Sequence, residues 1–366
     1  MARKPSSAGM WPPATTSPRR GRSRRSGSVV CYHFGYDIKF DGVTGFFVLS
    51  GFLITTLLMR ERETTGTVSL KNFYARRTLR IFPAYYAFVV ASYALDNLRN
   101  TIWPPGLTLA AFFYGVNYYN AFLGHPPTSV AHAWSLAVEE QFYLLWPLLF
   151  LALYGRSLLT MRRVLMGVIV ASIGWRILAH FALGVDKAYL YNAFDARFDN
   201  LAIGCLLAIL VRDERCERVA AALTARTWYP FVTLAALFST VAFVPSPQRY
   251  YFAFTLYSAL IAVLLVQWLL LSHRPLWSWL DHPVTRYLGT ISYPIYLWHQ
   301  WAVGAARKIT MAPRPVQFAI ALVVTVAVAS CSYWIIERPV LRLKRRFTGP
   351  RVPVAPAMAV SEAKVS

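Results

Sequence analysis

Cysteine is scarce in this sequence and spaced wrongly for chemistry. Cys31, Cys205, Cys216 and Cys331 form no CxxC pair and no metal-ligand spacing, which excludes a cysteine metal cluster and leaves them as packing residues. No metal site is expected. Acidic residues are few: 16 Asp and Glu stand against 38 Lys and Arg, a formal charge of +22. No internal repeat stands out, which removes the main signature of a transporter built from inverted halves. Residues 1–27, rich in Ser, Pro, Gly and Arg, contain no apolar run, so they read as disordered and not as a signal peptide.

Apolar sequence, by contrast, is abundant. Of the 366 residues 56% are apolar and 15% aromatic, and the mean hydropathy is +0.40. Apolar runs of about 17 to 25 residues recur, each long enough to cross a hydrocarbon core of about 30 Å. The expected spans are 43–59, 81–96, 140–155, 164–183, 197–211, 228–244, 250–271, 288–306 and 316–336, with the remnant of one more near 28–34. Segment 107–122 is also apolar but reads as an interfacial or re-entrant piece of a long outer loop. The fold class is therefore all-α: a polytopic membrane protein of about ten helices, the first of them truncated.

The positive charge reports topology. Alternate threading gathers 29 of the 38 Lys and Arg on the side that holds loops 60–80, 156–163, 212–226 and 273–287 and both termini. Cytoplasmic loops carry such an excess, so both termini are expected in the cytoplasm and nucleic acid is not an expected partner. The organisation is 1–27 as a disordered or mis-read leader, 28–346 as a membrane domain and 347–366 as a disordered cytoplasmic tail.

Several motifs place reactive groups in or beside these spans. Trp134-Ser-Leu-Ala-Val-Glu-Glu-Gln-Phe-Tyr143 sets Glu139 and Glu140 at the mouth of a span, and ionisable groups at membrane depth mark function unless they merely cap a helix end. His33, at the outer end of the first span, is a general-base candidate or a helix-end residue. Gly45, Ser50 and Gly51 would let helices approach closely, and Ser50 lacks the strand-turn-helix setting of a hydrolase nucleophile. Arg76, Arg77 and Arg80 either snorkel to the cytoplasmic face or bind the phosphates of an anionic ligand. Arg197 and Asp199 are spaced to form an ion pair at a helix start, and His299 lies within a span beside aromatic residues. Glu337-Arg-Pro339 closes the last span.

Taken together, His33-Phe-Gly35, Phe46-Phe-Val-Leu-Ser-Gly-Phe-Leu-Ile-Thr55, Tyr74-Ala-Arg-Arg-Thr-Leu-Arg-Ile-Phe-Pro83, the Trp134 motif, Ser292-Tyr-Pro-Ile-Tyr-Leu-Trp-His299 and Ile336-Glu-Arg-Pro339 resemble the membrane acyltransferase family 3. That family includes O-acetyltransferases of lipopolysaccharide O-antigen, Nod factor and other glycans, and macrolide acyltransferases. The resemblance runs from about Val29 to Arg345 with the motifs in the family's order. It implies a ten-helix core in the inner (plasma) membrane that moves an acyl group, usually acetyl from acetyl-CoA, onto a hydroxyl of a glycan or glycoside. Acyl-CoA is then a donor substrate and not a permanently bound cofactor; the other partners are the acceptor and membrane lipids. On this chain the resemblance implies His33 and Glu139 as catalytic residues and Arg76, Arg77 and Arg80 as the donor site. Trp134, Ser135, Glu140, Arg197, Asp199 and His299 serve as substrate contacts or support.

One departure stands out. The family's first span normally follows an Asp-Gly-Leu-Arg-Gly-like start, whereas Gly21-Arg-Ser-Arg-Arg-Ser-Gly-Ser28 occupies the position here. Each central arginine would cost about 2.5–3.5 kcal/mol in a bilayer. A frame error or a misplaced start would account for the difference; if the chain begins as written, Arg22, at the family's usual arginine position, and the placement of His33 are in doubt. The competing readings are a flippase for a lipid-linked sugar and a catalytically inactive relative.

Overall fold

The computed structural model describes residues 42–244, 249–343 and 347. Among them there is helix and no strand. The long elements are α1 (Gly42–Thr65), α2 (Leu70–Leu98), α5 (Trp134–Tyr154), α6 (Leu158–Phe181), α8 (Phe194–Leu210), α10 (Tyr229–Phe243), α11 (Phe254–Leu271), α13 (Ser292–Arg307) and α14 (Arg314–Ser332). Short helices link them: α3 (Pro105–Phe112), α4 (Val116–Leu123), α7 (Lys187–Asn192), α9 (Glu217–Thr224), α12 (Pro283–Thr290) and α15 (Arg338–Leu343).

Among the described residues, six stretches are long and apolar enough to cross a membrane: Gly42–Thr65, Leu70–Leu98, Ala131–Tyr154, Leu158–Phe181, Tyr250–Leu271 and Arg314–Leu343. The other three spans expected within the described residues coincide with α8, α10 and α13, of 17, 15 and 16 residues. Helices of that length rise about 23–26 Å, short of a hydrocarbon core of about 30 Å. The remnant near 28–34 lies outside the described residues. Segment 107–122 forms α3 and α4, eight residues each, about 12 Å long and too short to cross.

Local sequence explains where the helices begin. Ser69 caps α2 by accepting from the Asn72 amide, and Ser157 caps α6 through Thr160. The connection between α2 and α5 is pinned by one buried carboxylate. Asp96 accepts from Trp103 Nε1 at 2.9 Å, from the Ser129 amide at 2.8 Å and from Ser129 Oγ at 2.6 Å. This clamp fixes the turn 131–133 and hence the angle at which α5 enters. At the start of α8, Asp195 collects Tyr118, Tyr189 and Trp175 as donors. Burial, helped by the Asp195 charge, pushes the Tyr118 phenol up to about 12, so it stays a donor throughout the neutral range.

The α1–α8 crossing has no room for side chains. A Cβ on Gly51 would stand 2.0 Å from the Leu201 carbonyl oxygen, and one on Gly204 would stand 2.1 Å from that of Val48. The close approach expected of the small residues in α1 is therefore present at Gly51, and Gly204 supplies its counterpart.

The expected Arg197–Asp199 pair is corrected by the structure. Asp199 pairs with Arg176 of α6, whose two terminal nitrogens meet its two oxygens at 2.8 and 3.1 Å, with both side chains fully buried. The reason is helical geometry: residues two apart point to different sides of a helix. Arg197 instead donates to Thr44 Oγ1 at 2.7 Å and lies 3.8 Å over the Phe254 ring. Arg176 also donates to the carbonyls of Tyr251 and Ala196 and to Thr255, so this charge pair ties α6, α8 and α11 together.

Candidate active site

The α1–α8 crossing presents Ser50 of α1 to α5. Ser50 is 1% exposed; its Oγ donates to Glu139 Oε1 at 2.5 Å and accepts from the Tyr143 hydroxyl at 3.0 Å. Glu139 and Tyr143 are four residues apart and so share one face of α5. The Arg77 guanidinium lies 3.6 Å over the Tyr143 ring. The result is a directed chain of hydroxyls ending on the Glu139 carboxylate, with a cation stacked behind it.

Two cavities meet at Glu139. The first is lined by Arg77, Arg80, Ile81, Leu136, Glu139, Glu140, Tyr143 and Tyr293. The second is lined by Phe46, Phe47, Ser135, Leu136, Glu139, Tyr293 and Tyr296. Leu136, Glu139 and Tyr293 belong to both walls. The first cavity holds two guanidinium groups and two carboxylates; the second is aromatic and carries Glu139 as its one charged wall residue among the described residues. In the first, Glu140 Oε1 and Arg77 Nε are buried without a hydrogen bond among the described residues. Buried polar atoms are normally satisfied, so such capacity inside a cavity suits a polar ligand.

The second cavity has its own polar frame. Tyr296 OH donates to the His132 carbonyl at 2.8 Å, which leaves Ser135 Oγ to donate across the 2.5 Å that separates it from the Tyr296 oxygen. His299 Nδ1 lies 2.6 Å from the Tyr296 carbonyl, and His132 Nε2 lies 3.2 Å from that of Leu297. Carbonyls only accept, so each of these ring nitrogens carries its proton. The two imidazoles contact each other with centroids 4.9 Å apart.

The residues anticipated from sequence divide into groups. Glu139, Glu140, Arg77 and Arg80 converge on one cavity and Ser135 on the next. Arg76 does not join them: it pairs with Glu61 at 2.7 Å and donates to the Phe347 carbonyl at 2.9 Å. Trp134 packs against Phe47 and Tyr191, and His299 is buried beneath Tyr296. Arg197 and Asp199 lie in the packing described above. His33 and Arg22 lie outside the described residues.

Threading alone sets Glu139 in the outer half and the arginines at the opposite face. The structure corrects this separation. Arg77 and Arg80 are seven and ten residues into α2, about 10 and 15 Å from its start. α5 runs antiparallel to α2, with Tyr74 OH donating to the Leu144 carbonyl at one end and Phe88 against His132 at the other. The arginines therefore stand level with the glutamates. Sequence reading did not single out Tyr143, Tyr293, Tyr296 or His132. Tyr143 could have been found from its i+4 spacing to Glu139, and Tyr293 and Tyr296 lay within a motif already noted. Nothing local marks His132.

The profile of the family described as acyltransferase domain matches residues 29–334. The chain is 30% identical over 345 residues to a peptidoglycan O-acetyltransferase of Listeria monocytogenes, covering 86% of this chain and 53% of that protein. It is 29% identical over 346 residues to a Bacillus subtilis protein provisionally named a peptidoglycan O-acetyltransferase, covering 86% and 52%. The chain thus spans about half the length of the curated relatives it matches. No solved structure matches it.

Proposed function

This chain belongs to the acyltransferase domain family, and from that premise we propose that it is a multi-pass membrane O-acyltransferase, moving acetyl from acetyl-CoA onto a hydroxyl of a cell-envelope glycan. The observation that carries the proposal is the position of Glu139, in the wall shared by a cavity with two arginines and a cavity without them. Guanidinium groups bind phosphate oxygens in a fixed fork, so Arg77 and Arg80 suit the anionic donor. Arg76, held by Glu61 and Phe347, supports the helix that carries them.

In the reaction, the acceptor hydroxyl loses its proton to the Glu139 carboxylate as its oxygen attacks the thioester carbon. The tetrahedral intermediate collapses with cleavage of the carbon–sulfur bond, giving the O-acyl ester, and the departing thiolate takes up the proton. Ser50 and Tyr143 orient the Glu139 oxygen that receives no proton from the acceptor. His33 is assigned here as the second base, or as the nucleophile of a two-step route, on the strength of the sequence motif alone. Two cavities in series along α5 favour delivery of donor and acceptor from opposite faces. We place the protein in the plasma membrane, with ten helices and both termini cytoplasmic. Among envelope glycans, the peptidoglycan named for the relatives is the first acceptor to test.

The test uses the full chain in proteoliposomes with acetyl-labelled CoA and peptidoglycan fragments. Label should enter an alkali-labile ester on the glycan with the wild type and not with Glu139→Gln. Transfer by Glu139→Gln at the wild-type rate would remove Glu139 from the mechanism.

A further inference from the structure

We propose that the cavity bounded by Phe46, Phe47, Ser135 and Tyr296 is the acceptor subsite and receives a hydroxyl-bearing pyranose ring, with Ser135 as the residue that selects for it. This deepens the acyltransferase reading and rests on it. The assignment follows from counting side-chain protons. Tyr293 OH donates to the Ile81 carbonyl at 3.2 Å, Tyr296 OH to the His132 carbonyl, and Ser135 Oγ to Tyr296. Every side-chain proton that the described residues bring to the polar walls of this cavity is thus committed, while lone pairs remain on Ser135 Oγ and on Glu139 Oε2. The described side chains of this cavity accept hydrogen bonds and give none.

A thioester carbonyl or a phosphate, which can only accept, finds no side-chain donor there among the described residues. A polyol, which can donate, finds two acceptors. The neighbouring cavity differs by adding two cationic donors, Arg77 and Arg80, beside the carboxylates of Glu139 and Glu140. The two ligands are therefore sorted by where cationic donors stand: anion beside the arginines, hydroxyls beside Ser135. A ligand hydroxyl that donates to Glu139 Oε2 is also the one aligned to lose its proton, while a neighbouring hydroxyl on Ser135 fixes which one that is.

The remaining walls suit the flat, C–H-covered faces of a sugar. Phe46 and Tyr296 form a tilted pair, 5.8 Å between centroids and 60° between planes, and Phe47 meets the Trp134 edge at 6.2 Å. Aromatic faces carry partial negative charge and attract polarised C–H groups. His132 and His299 act behind this surface as positioning residues, holding Tyr296 through its backbone and through the turn it bonds to.

The full chain in lipid nanodiscs, free of sugar-headed detergent, tests this by saturation-transfer NMR with the β-linked N-acetylglucosamine tetramer as probe. Acetyl-CoA affinity is measured on the same samples. Wild type should saturate the ring protons of the tetramer and not those of the same tetramer with its hydroxyls methylated. Ser135→Ala and Phe46→Ala should each weaken the tetramer about tenfold, the worth of one good hydrogen bond or ring contact, with acetyl-CoA affinity within about twofold of wild type. Equal binding of the methylated tetramer, undiminished binding in both variants, or parallel loss of both ligands would overturn the proposal. Absence of tetramer binding with acetyl-CoA binding intact would overturn it and leave the donor site standing. Absence of both would overturn the acyltransferase reading with it.

Discussion

Glu139 is the general base of the proposed reaction, and its neighbours indicate what each substitution should do. Glu139→Gln keeps the shape but removes the base, so kcat should fall by about 100-fold or more, with acetyl-CoA binding retained in a direct titration. The arginine triplet should split. Arg80→Gln lines the charged cavity and should raise the donor dissociation constant about tenfold, as expected for one lost charge-assisted contact. Arg76→Gln breaks a partly exposed pair with Glu61 worth about 1 kcal/mol, and should lower thermal stability slightly while leaving donor affinity unchanged. Sequence made this triplet visible but not its division, because Arg76 and Arg77 are adjacent and helical rotation of about 100° per residue turns them to different surroundings. The same rotation explains why Arg197 and Asp199 were wrongly paired. Glu139 and Glu140 were legible because carboxylates are rare in apolar sequence.

At the scale of elements, the crossing of α1 and α8 decides whether the site exists. Gly51→Ala puts a methyl carbon 2.0 Å from a backbone oxygen that cannot move aside. Overpacking of this kind costs about 1–3 kcal/mol where the surroundings can relax, and backbone on both sides leaves little to relax. The variant should lose its monodisperse peak in size-exclusion chromatography, whereas Ser50→Ala should keep that peak and lose activity. A similar argument applies where α6 meets α8. Removing Arg176 leaves Asp199 buried and unpaired, so Arg176→Met should destabilise by about 3–5 kcal/mol, measurable as a lowered Tm in nanodiscs. The short helices α3 and α4 could be inferred as non-crossing from charge distribution, but their role could not. That role depends on Asp96 reaching Ser129 across 33 residues, a contact with no local sequence signal.

For the whole molecule, helix class and membrane character follow from apolar run length, and the family follows from six motifs in order. The motifs say which residues matter, and packing alone says which of them meet. Antiparallel α2 and α5 turn two motifs that threading holds apart into one site, and Tyr296 of a third motif completes the adjoining cavity. The positive-inside distribution of loops also makes a claim about the entire chain: a thiol probe placed in loop 212–226 should be reached by a membrane-impermeant reagent only from the cytoplasmic face. The central claim, that this protein acylates an envelope glycan through Glu139, is tested most directly by mass spectrometry of those glycans. Three strains suffice: the gene deleted, restored as wild type, and restored as Glu139→Gln, with equal protein in the membrane. An acyl mass increment should vanish on deletion, return with the wild type, and stay absent with Glu139→Gln. An increment indifferent to deletion, or fully restored by Glu139→Gln, would contradict the account.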